Sequence, residues 1–317
     1  MTSRSKLERS PNEKLMAYVS LVRTSDRLKG VSRAIALLKS NPVQGKAVVL
    51  KPNFNTADPP PGSTHIDTLR ALVLTLKQMG TKSITLAERC GPFQPTEQVI
   101  KEKGVFELAK ELGFDIVNLE ELNADGWVHI HPKDSHWKDG FLFPRIYAEA
   151  EAIVQTCCLK SHGFGGHFTL SLKCAVGMVP PGLRDPGGYT YMSELHSSRY
   201  QRQMIAEINT AFSPDLIVLD GVDAFVDGGP HVGKRVKANV MLAGTDRIAI
   251  DAVGVAILRQ LGTTPEVSKG KIFEQDQIKR AAELGLGVKS ADQIQIVTGD
   301  KESEEYAKVI RGILGRG

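Results

Sequence analysis

The chain has 317 residues, long enough to bury a large core without disulfide or metal staples. Its 41% hydrophobic and 24% charged content excludes a disordered or collagen-like polymer. The net charge of +4 comes from 40 basic and 36 acidic residues, interspersed as in Lys101-Glu102-Lys103. Nucleic-acid binders instead concentrate their basic residues in stripes, so no nucleic-acid partner is expected.

Residues 1–15 read as a polar leader without the apolar stretch of a secretory signal. No apolar run approaches the roughly 18 residues of a membrane span. Cys90, Cys157, Cys158 and Cys174 form no CxxC pair, so zinc ribbons and ferredoxin-type clusters are not indicated. These features together predict a cytoplasmic protein with reduced, mostly buried thiols and no membrane partner.

The remainder, 16–317, reads as a single α/β domain, with a two-lobed form left open by a change of character near 123–150. Met16–Arg23 is a predicted strand and Ser25–Leu38 a helix. Ala47–Leu50 is a continuous apolar run, as in a strand buried on both faces, and the proline-rich loop Ala57–Gly62 follows. Ile66–Met79 is helical and stops at Gly80; Ser83–Ala87 is a strand; Glu97–Leu112 is a helix ending at Gly113; Asp115–Leu119 is a strand. This alternation predicts a mostly parallel sheet flanked by helices. Asn123–Phe143 predicts short antiparallel strands or an excursion between lobes. Strands are then expected at Ala152–Thr156, Asp215–Leu219, Ala238–Ala243 and Gln293–Val297. Helices are expected at Gln201–Ala211, Asp246–Leu261, Gln275–Leu284 and Ser303–Leu314.

In open α/β sheets, ligands bind beyond the carboxyl ends of the strands, so polar groups after buried strands carry the functional signal. Lys51-Pro52-Asn53-Phe54-Asn55 offers a lysine and two amides that would grip a carboxylate or phosphate; a snorkelling lysine with turn-forming asparagines is the alternative. Glu88-Arg89-Cys90-Gly91-Pro92 offers an acid/base group or a surface Arg–Glu pair around a turn. The segment Leu159–Gly182 is the richest. Lys160 and Lys173 supply anion binding or base chemistry, and His162 moves protons near neutral pH. Gly163, Gly165 and Gly166 let backbone approach a ligand, with His167 beside them. From Phe168 a short helix would turn its N-terminus toward an anion.

The strand expected to end at Asp220-Gly221 brings Asp220 and Asp223, with the turn Asp227-Gly228-Gly229-Pro230 beyond. These acids would orient a lysine, act as base, bind a cation or simply build the turn. Asp246 sits at a helix N-cap position, whereas Asp251, inside that helix, is open between site and structure. His162 and His167 are five apart and do not make the paired face of a zinc helix, so no metal ligand is assigned. His129, His131, His136 and His231 are set aside, since exposed or internally satisfied histidines are commoner than ligands.

Four strings, AVVLKPNFN, LKSHGFGGHFTLSLKCAVG, DLIVLDGVDAFVDGGP and ANVMLAGTDRIAIDAVG, resemble the family catalogued as domain of unknown function 362, over roughly residues 17–300. Many of its members carry an added iron–sulfur module whose cysteine pattern is absent here. The central string, with His162, the glycines, Lys173 and Val179-Pro180-Pro181-Gly182, is more loosely similar to nickel-pincer lactate racemases. That resemblance implies Lys173 as a cofactor tether or anion clamp and His162 as a proton-transfer group. The double-histidine string of the racemases is missing.

The expectation is therefore an enzyme of isomerase, epimerase or lyase type acting on a small anionic substrate that bears a carboxylate or phosphate. His162, Lys173, Asp220 and Glu88 would be catalytic. Lys51, Asn53, Lys160, Gly165, Gly166, His167 and Asp223 would bind the substrate. The sequence requires no cofactor, is compatible with a metal ion, and leaves a homo-oligomer open. A redox enzyme with a bound flavin or metal, and a non-catalytic metabolite-binding protein, are the alternatives.

Overall fold

The computed structural model describes residues 16–91, 93–180 and 190–316. The leader at 1–15, Pro92 and the Pro181-Gly182 end of the central string lie outside the described residues. In chain order the elements begin with β1 (Ala17–Arg23), α1 (Arg27–Leu37), β2 (Ala47–Lys51), α2 (Ile66–Gln78), β3 (Ser83–Glu88), α3 (Thr96–Glu102), α4 (Val105–Leu112) and β4 (Asp115–Asn118). The middle holds β5 (Trp127–Ile130), β6 (Phe141–Pro144), α5 (Arg145–Ala148), β7 (Ala152–His162), β8 (His167–Thr169), α6 (Ser171–Cys174), α7 (Tyr191–Ser197) and α8 (Gln201–Ile208). The chain closes with β9 (Leu216–Gly228), β10 (Gly233–Gly244), α9 (Arg247–Leu261), α10 (Pro265–Ser268), α11 (Asp276–Glu283), β11 (Ile294–Val297) and α12 (Lys301–Arg316).

A sheet of nine strands runs β11-β1-β10-β9-β7-β2-β3-β4, with β8 folded back antiparallel on β7. The pairs β9·β7, β7·β2, β2·β3 and β3·β4 are parallel, and β10 is antiparallel to both β9 and β1. The protein is thus a mostly parallel α/β fold.

Alternation along each central strand sends side chains to opposite faces. Val48, Leu50, Leu86, Val154, Leu216 and Val218 pack with α1–α4. Ile217, Leu219 and Leu159 pack with α9, α11 and α12. Val49, Ala87 and Ile153 meet the β5–β6 hairpin, α5, α7 and α8. Burial on both faces is why these strands read as unbroken apolar runs.

Several boundaries differ from the sequence expectation for tertiary reasons. The helix expected over Glu97–Leu112 is two helices, because Gly104 adopts φ +70° between α3 and α4. The 123–150 stretch forms the expected short antiparallel strands, laid against one sheet face. β7 continues to His162, beyond the predicted end at Thr156. β9 does not end at Asp220-Gly221 but runs to Gly228, since β10 pairs along its length. The Asp227–Pro230 turn joins the two, with Gly228 and Gly229 at φ +73° and +80°. Among the described residues no helix is long and apolar enough to cross a membrane.

Candidate anion site

β2, β3 and β7 end side by side, and their last residues are polar. Lys51 closes β2, Glu88 closes β3, and Lys160 and His162 close β7. The Tyr147 hydroxyl is hydrogen-bonded to the carbonyls of Ala87 (2.6 Å) and Leu50 (3.3 Å), tying the first two ends together. Beyond them lies a cavity of about 580 Å³, within the range of small-molecule sites. Its wall includes Lys51, Asn53, Asn55, Glu88, Arg89, Lys160, His162, Thr169, Lys173 and, from α7, Met192, Ser193 and His196.

Charge is unbalanced there. Four cations, Lys51, Arg89, Lys160 and Lys173, face one carboxylate, Glu88, and all five are less than a tenth exposed. That carboxylate is already committed. Lys51 Nζ lies 2.6 Å from Glu88 Oε1, and Glu88 also accepts the Phe54 and Arg89 backbone N–H groups at 3.0 and 2.8 Å. Burial is the largest influence on Lys51 and opposes its charge, but Glu88 together with Cys174 and Cys90 holds the ammonium above its ordinary pKa. Burial also raises Glu88, against the pull of Lys51 and of the two N–H groups. Gly177 closes over the pair: a Cβ there would stand 3.0 Å from Lys51 Nζ and 3.1 Å from Glu88 Oε1.

The other three cations have no carboxylate within ion-pair distance among the described residues. Lys160 donates to the carbonyls of Gly62 (2.6 Å) and Pro230 (3.1 Å), and burial pushes its pKa down. Arg89 donates to the carbonyls of Cys90 and Val176, each at 2.8 Å. Burial weakens its proton affinity too, although Glu88 pulls the other way; a guanidinium nonetheless stays charged. Burial first, then the neighbouring Lys160 charge, lower Lys173 to about 8. Four buried polar atoms on the wall, Asn53 Oδ1, Asn55 Nδ2, Arg89 Nε and Thr169 Oγ1, have no hydrogen-bond partner among the described residues. Buried polar groups are normally satisfied, so these four atoms are unusual, although each is itself closed off from the cavity.

His162 is neutral. Burial, then Lys173 and Lys160, drive its pKa well below the ordinary value. Its Nδ1 accepts the Phe164 backbone N–H at 3.3 Å, which leaves the proton on Nε2. Gly166 lies between His162 and Lys173: a Cβ on it would stand 2.9 Å from His162 Nδ1 and 2.8 Å from Lys173 Cε. Lys173 is carried by the single turn α6, whose first N–H groups are met from within the protein. Asp251 accepts from Ser171 N at 2.7 Å and from Leu172 N at 3.3 Å. The short helix expected from Phe168 therefore starts later, at Ser171, and a side chain already occupies the anion position at its N-terminus. Asp251 thus belongs to the support of the site, and Asp246 is an N-cap as expected, accepting from Ile248 and Ala249 N–H at 2.9 Å each.

Asp220 and Asp223, expected as helpers, are not on the cavity wall. Both lie inside β9 and bind elsewhere. Asp220 accepts from Arg27 Nε at 2.8 Å and Thr68 Oγ1 at 2.6 Å. Asp223 is ion-paired with Arg27, Arg235 and Lys237 at 2.7–2.9 Å. Burial alone would raise the Asp223 pKa, but these three cations together hold it far below the carboxylate range. Gly165, Gly166 and His167 also fall outside the wall. A Cβ on Gly165 would meet Gln201 Oε1, and half-buried His167 faces Arg202 and Asp276. Arg89, read as half of a surface pair, is instead a buried wall residue. His196 was missed because it carried no local signal, whereas Thr169 belongs to the central segment already singled out. All four cysteines are free and buried, and Cys90 and Cys174 reach the wall.

Residues 48–256 match the family described as a domain of unknown function (DUF362), about two thirds of the chain, and the chain belongs to that family. A thylakoid-associated protein of Synechocystis sp. is 24% identical over 221 residues. The match covers 68% of this chain and 64% of that protein, so the chain spans less than two thirds of its relative's length. Among solved structures, the lactate racemase apoprotein from Thermoanaerobacterium thermosaccharolyticum aligns over 95% of this chain and 88% of its own, at 14% identity and a TM-score of 0.44. A protein from Thermotoga maritima aligns over 81% and 58%, at 12% identity and a TM-score of 0.45.

Proposed function

We propose that the chain binds a small organic anion in this cavity and transforms it by proton transfer, as an isomerase, epimerase or lyase does. The observation that carries the reading is the charge imbalance of four buried cations against one committed carboxylate. Uncompensated buried cations are costly, and a ligand with two or more negative charges offsets that cost. Arg89 and Lys160 are the clamp, joined by the amides of Asn53 and Asn55. An organic cofactor with acidic groups would meet the same clamp.

Lys173 is the proton carrier. With a pKa of about 8, a good share of it is neutral amine near physiological pH, which suits a general base. It takes a proton from the carbon beside the substrate's carboxylate. The charge that moves onto the carboxylate oxygens is met by the fixed cations. His162, neutral and carrying its proton on Nε2, donates a hydrogen bond to the same developing charge. Once the planar intermediate has turned in the cavity, the Lys173 ammonium returns the proton to its opposite face and the substrate is epimerised. Alternatively, the electron pair forms a double bond as a substituent on the adjacent carbon departs with its bonding pair, protonated by the ammonium. The Lys51–Glu88 pair supports the wall.

The test is exchange of carbon-bound hydrogen in deuterium oxide, followed by NMR over a panel of hydroxy, amino and phospho acids. Exchange with at least one acid, lost in Lys173→Met while the protein stays folded, is the expected result. Exchange that survives in Lys173→Met would overturn the assignment, and saturable binding without exchange would leave a metabolite-binding protein.

A further inference from the structure

The histidines of the β5–β6 hairpin play no part in the cavity, yet two of them converge. We propose that His129, His131 and Asp139 form a binding site for a late first-row divalent cation such as Zn²⁺, Ni²⁺ or Cu²⁺.

His129 lies on β5 and His131 follows its last residue, two positions on, so their side chains leave the same face of the extended chain. Their rings are 4.1 Å apart. Asp139 is brought to them by the return of the loop. Gly140 adopts φ +62°, and a Cβ on it would lie 2.1 Å from the Ile130 carbonyl oxygen. Only glycine permits that approach, which sets Asp139 beside the strand. Asp139 Oδ1 is then 3.8 Å from His131 Nδ1, and one ligand atom from each residue lies within 4.8 Å of the others. Among the described residues this is the one place where three such groups converge.

A tetrahedral ion with bonds of about 2.0–2.1 Å holds its donors about 3.4 Å apart. All three side chains are exposed, so small rotations close the remaining gap. His129 Nε2 lies 2.6 Å from the Asp139 carbonyl oxygen. As a donor to that oxygen it fixes the tautomer and leaves Nδ1 as the ring's lone pair, the arrangement common to metal-bound histidines. Two imidazoles and one carboxylate select zinc, nickel or copper over magnesium and calcium, which prefer all-oxygen sets. One or more positions on the ion would remain for water.

The site sits on a loop that holds one wall of the cavity. The Lys138 N–H donates to Glu194 on α7 at 2.6 Å, and Trp137 Nε1 donates to the Met204 carbonyl at 3.2 Å. α7 in turn supplies Met192, Ser193 and His196 to the cavity. An ion here would stiffen the hairpin that braces that wall.

Both tryptophans of the chain, Trp127 and Trp137, lie in this hairpin, and Trp127 shares β5 with His129. Tryptophan fluorescence is therefore a local probe. Untagged, chelator-stripped protein is titrated with Cu²⁺ and Ni²⁺, and zinc stoichiometry is measured by elemental analysis after equilibrium dialysis. One saturable equivalent per chain is expected. His129→Ala combined with His131→Ala should lose that equivalent with an unchanged far-ultraviolet circular dichroism spectrum, and Asp139→Asn should weaken it. Absence of a saturable phase in the native chain would overturn the proposal. So would an unchanged stoichiometry and midpoint in the double variant, or displacement by an equal concentration of Mg²⁺.

Discussion

Lys173 and His162 meet across a single glycine. A Cβ at Gly166 would stand 2.8 Å from Lys173 Cε and 2.9 Å from His162 Nδ1. That gap is tighter than a methyl group tolerates, and overpacking of this kind costs about 1–3 kcal/mol. Gly166→Ala is expected to push the two side chains apart. Ligand affinity and turnover should fall by roughly tenfold or more, since small displacements of reacting groups are expensive, while the chain still folds. A lysine titration by NMR checks the cause: the Lys173 value should move from about 8 in the variant. An unmoved titration would mean that the glycine does not position the lysine.

Lys173 itself should be a residue kept at the expense of stability. Its ammonium is buried, has no acidic partner among the described residues, and is lowered from 10.5 to about 8. Below pH 8 that shift corresponds to about 3 kcal/mol of disfavoured charge. Replacing it with the uncharged Lys173→Met should raise stability by on the order of 1–3 kcal/mol at pH 7 and remove activity, the usual sign of a functional group. The gain should shrink as pH rises from 8 to 10.5, because the folded protein has already released the proton there. Urea unfolding at several pH values reads both effects.

The Lys51–Glu88 pair behaves as a unit. Removing one member leaves the other charged, buried and unmatched, which costs about 3–5 kcal/mol. Lys51→Met and Glu88→Gln are each expected to destabilise by that amount. The double variant should be substantially more stable than the sum of the two predicts, because neither charge is then stranded. A thermodynamic cycle from chemical denaturation measures the coupling; additive losses would contradict it.

Asp251 supplies a pH dependence with a defined sign. Burial lifts its carboxyl from 3.8 to about 8, against the pull of the Ser171 and Leu172 N–H groups. Between pH 4 and 8 the folded protein therefore keeps a proton that the unfolded chain has released. The contribution of this group to stability is full below pH 4, is lost as pH rises through 8, and is flat above. Asp251→Asn should remove that slope, seen as the difference between wild-type and variant stability across the range. Asp251→Ala should cost about 1–3 kcal/mol for each amide left unmet, and should lower ligand affinity through the displaced Lys173.

What was readable in advance follows one rule. Lys51, Asn53, Glu88, Lys160 and His162 reach the cavity because each sits at, or just after, the carboxyl end of a buried parallel strand. An apolar run followed by a polar group shows that position in the sequence. The same rule failed for Asp220 and Asp223. Asp-Gly after an apolar run reads as a strand end, but β10 pairs along that stretch and carries β9 onward, and a partner strand cannot be seen in the run itself. Gly165 and His167 were near enough in sequence to be included, yet the β7–β8 turn points them toward Gln201 and Arg202.

The sequence by itself determined the layered α/β plan and the family, and pointed to the basic segment from Lys160 to Lys173. Those depend on periodicity, turn residues and short strings, all of which are local. Only the tertiary structure decided that Arg89 is buried, that Asp251 meets the start of α6 from 80 residues away, and that His129, His131 and Asp139 converge. Burial and long-range hydrogen bonding are set by which elements pack together. The charge imbalance of the cavity exists only once three separate stretches of chain have been brought to one place.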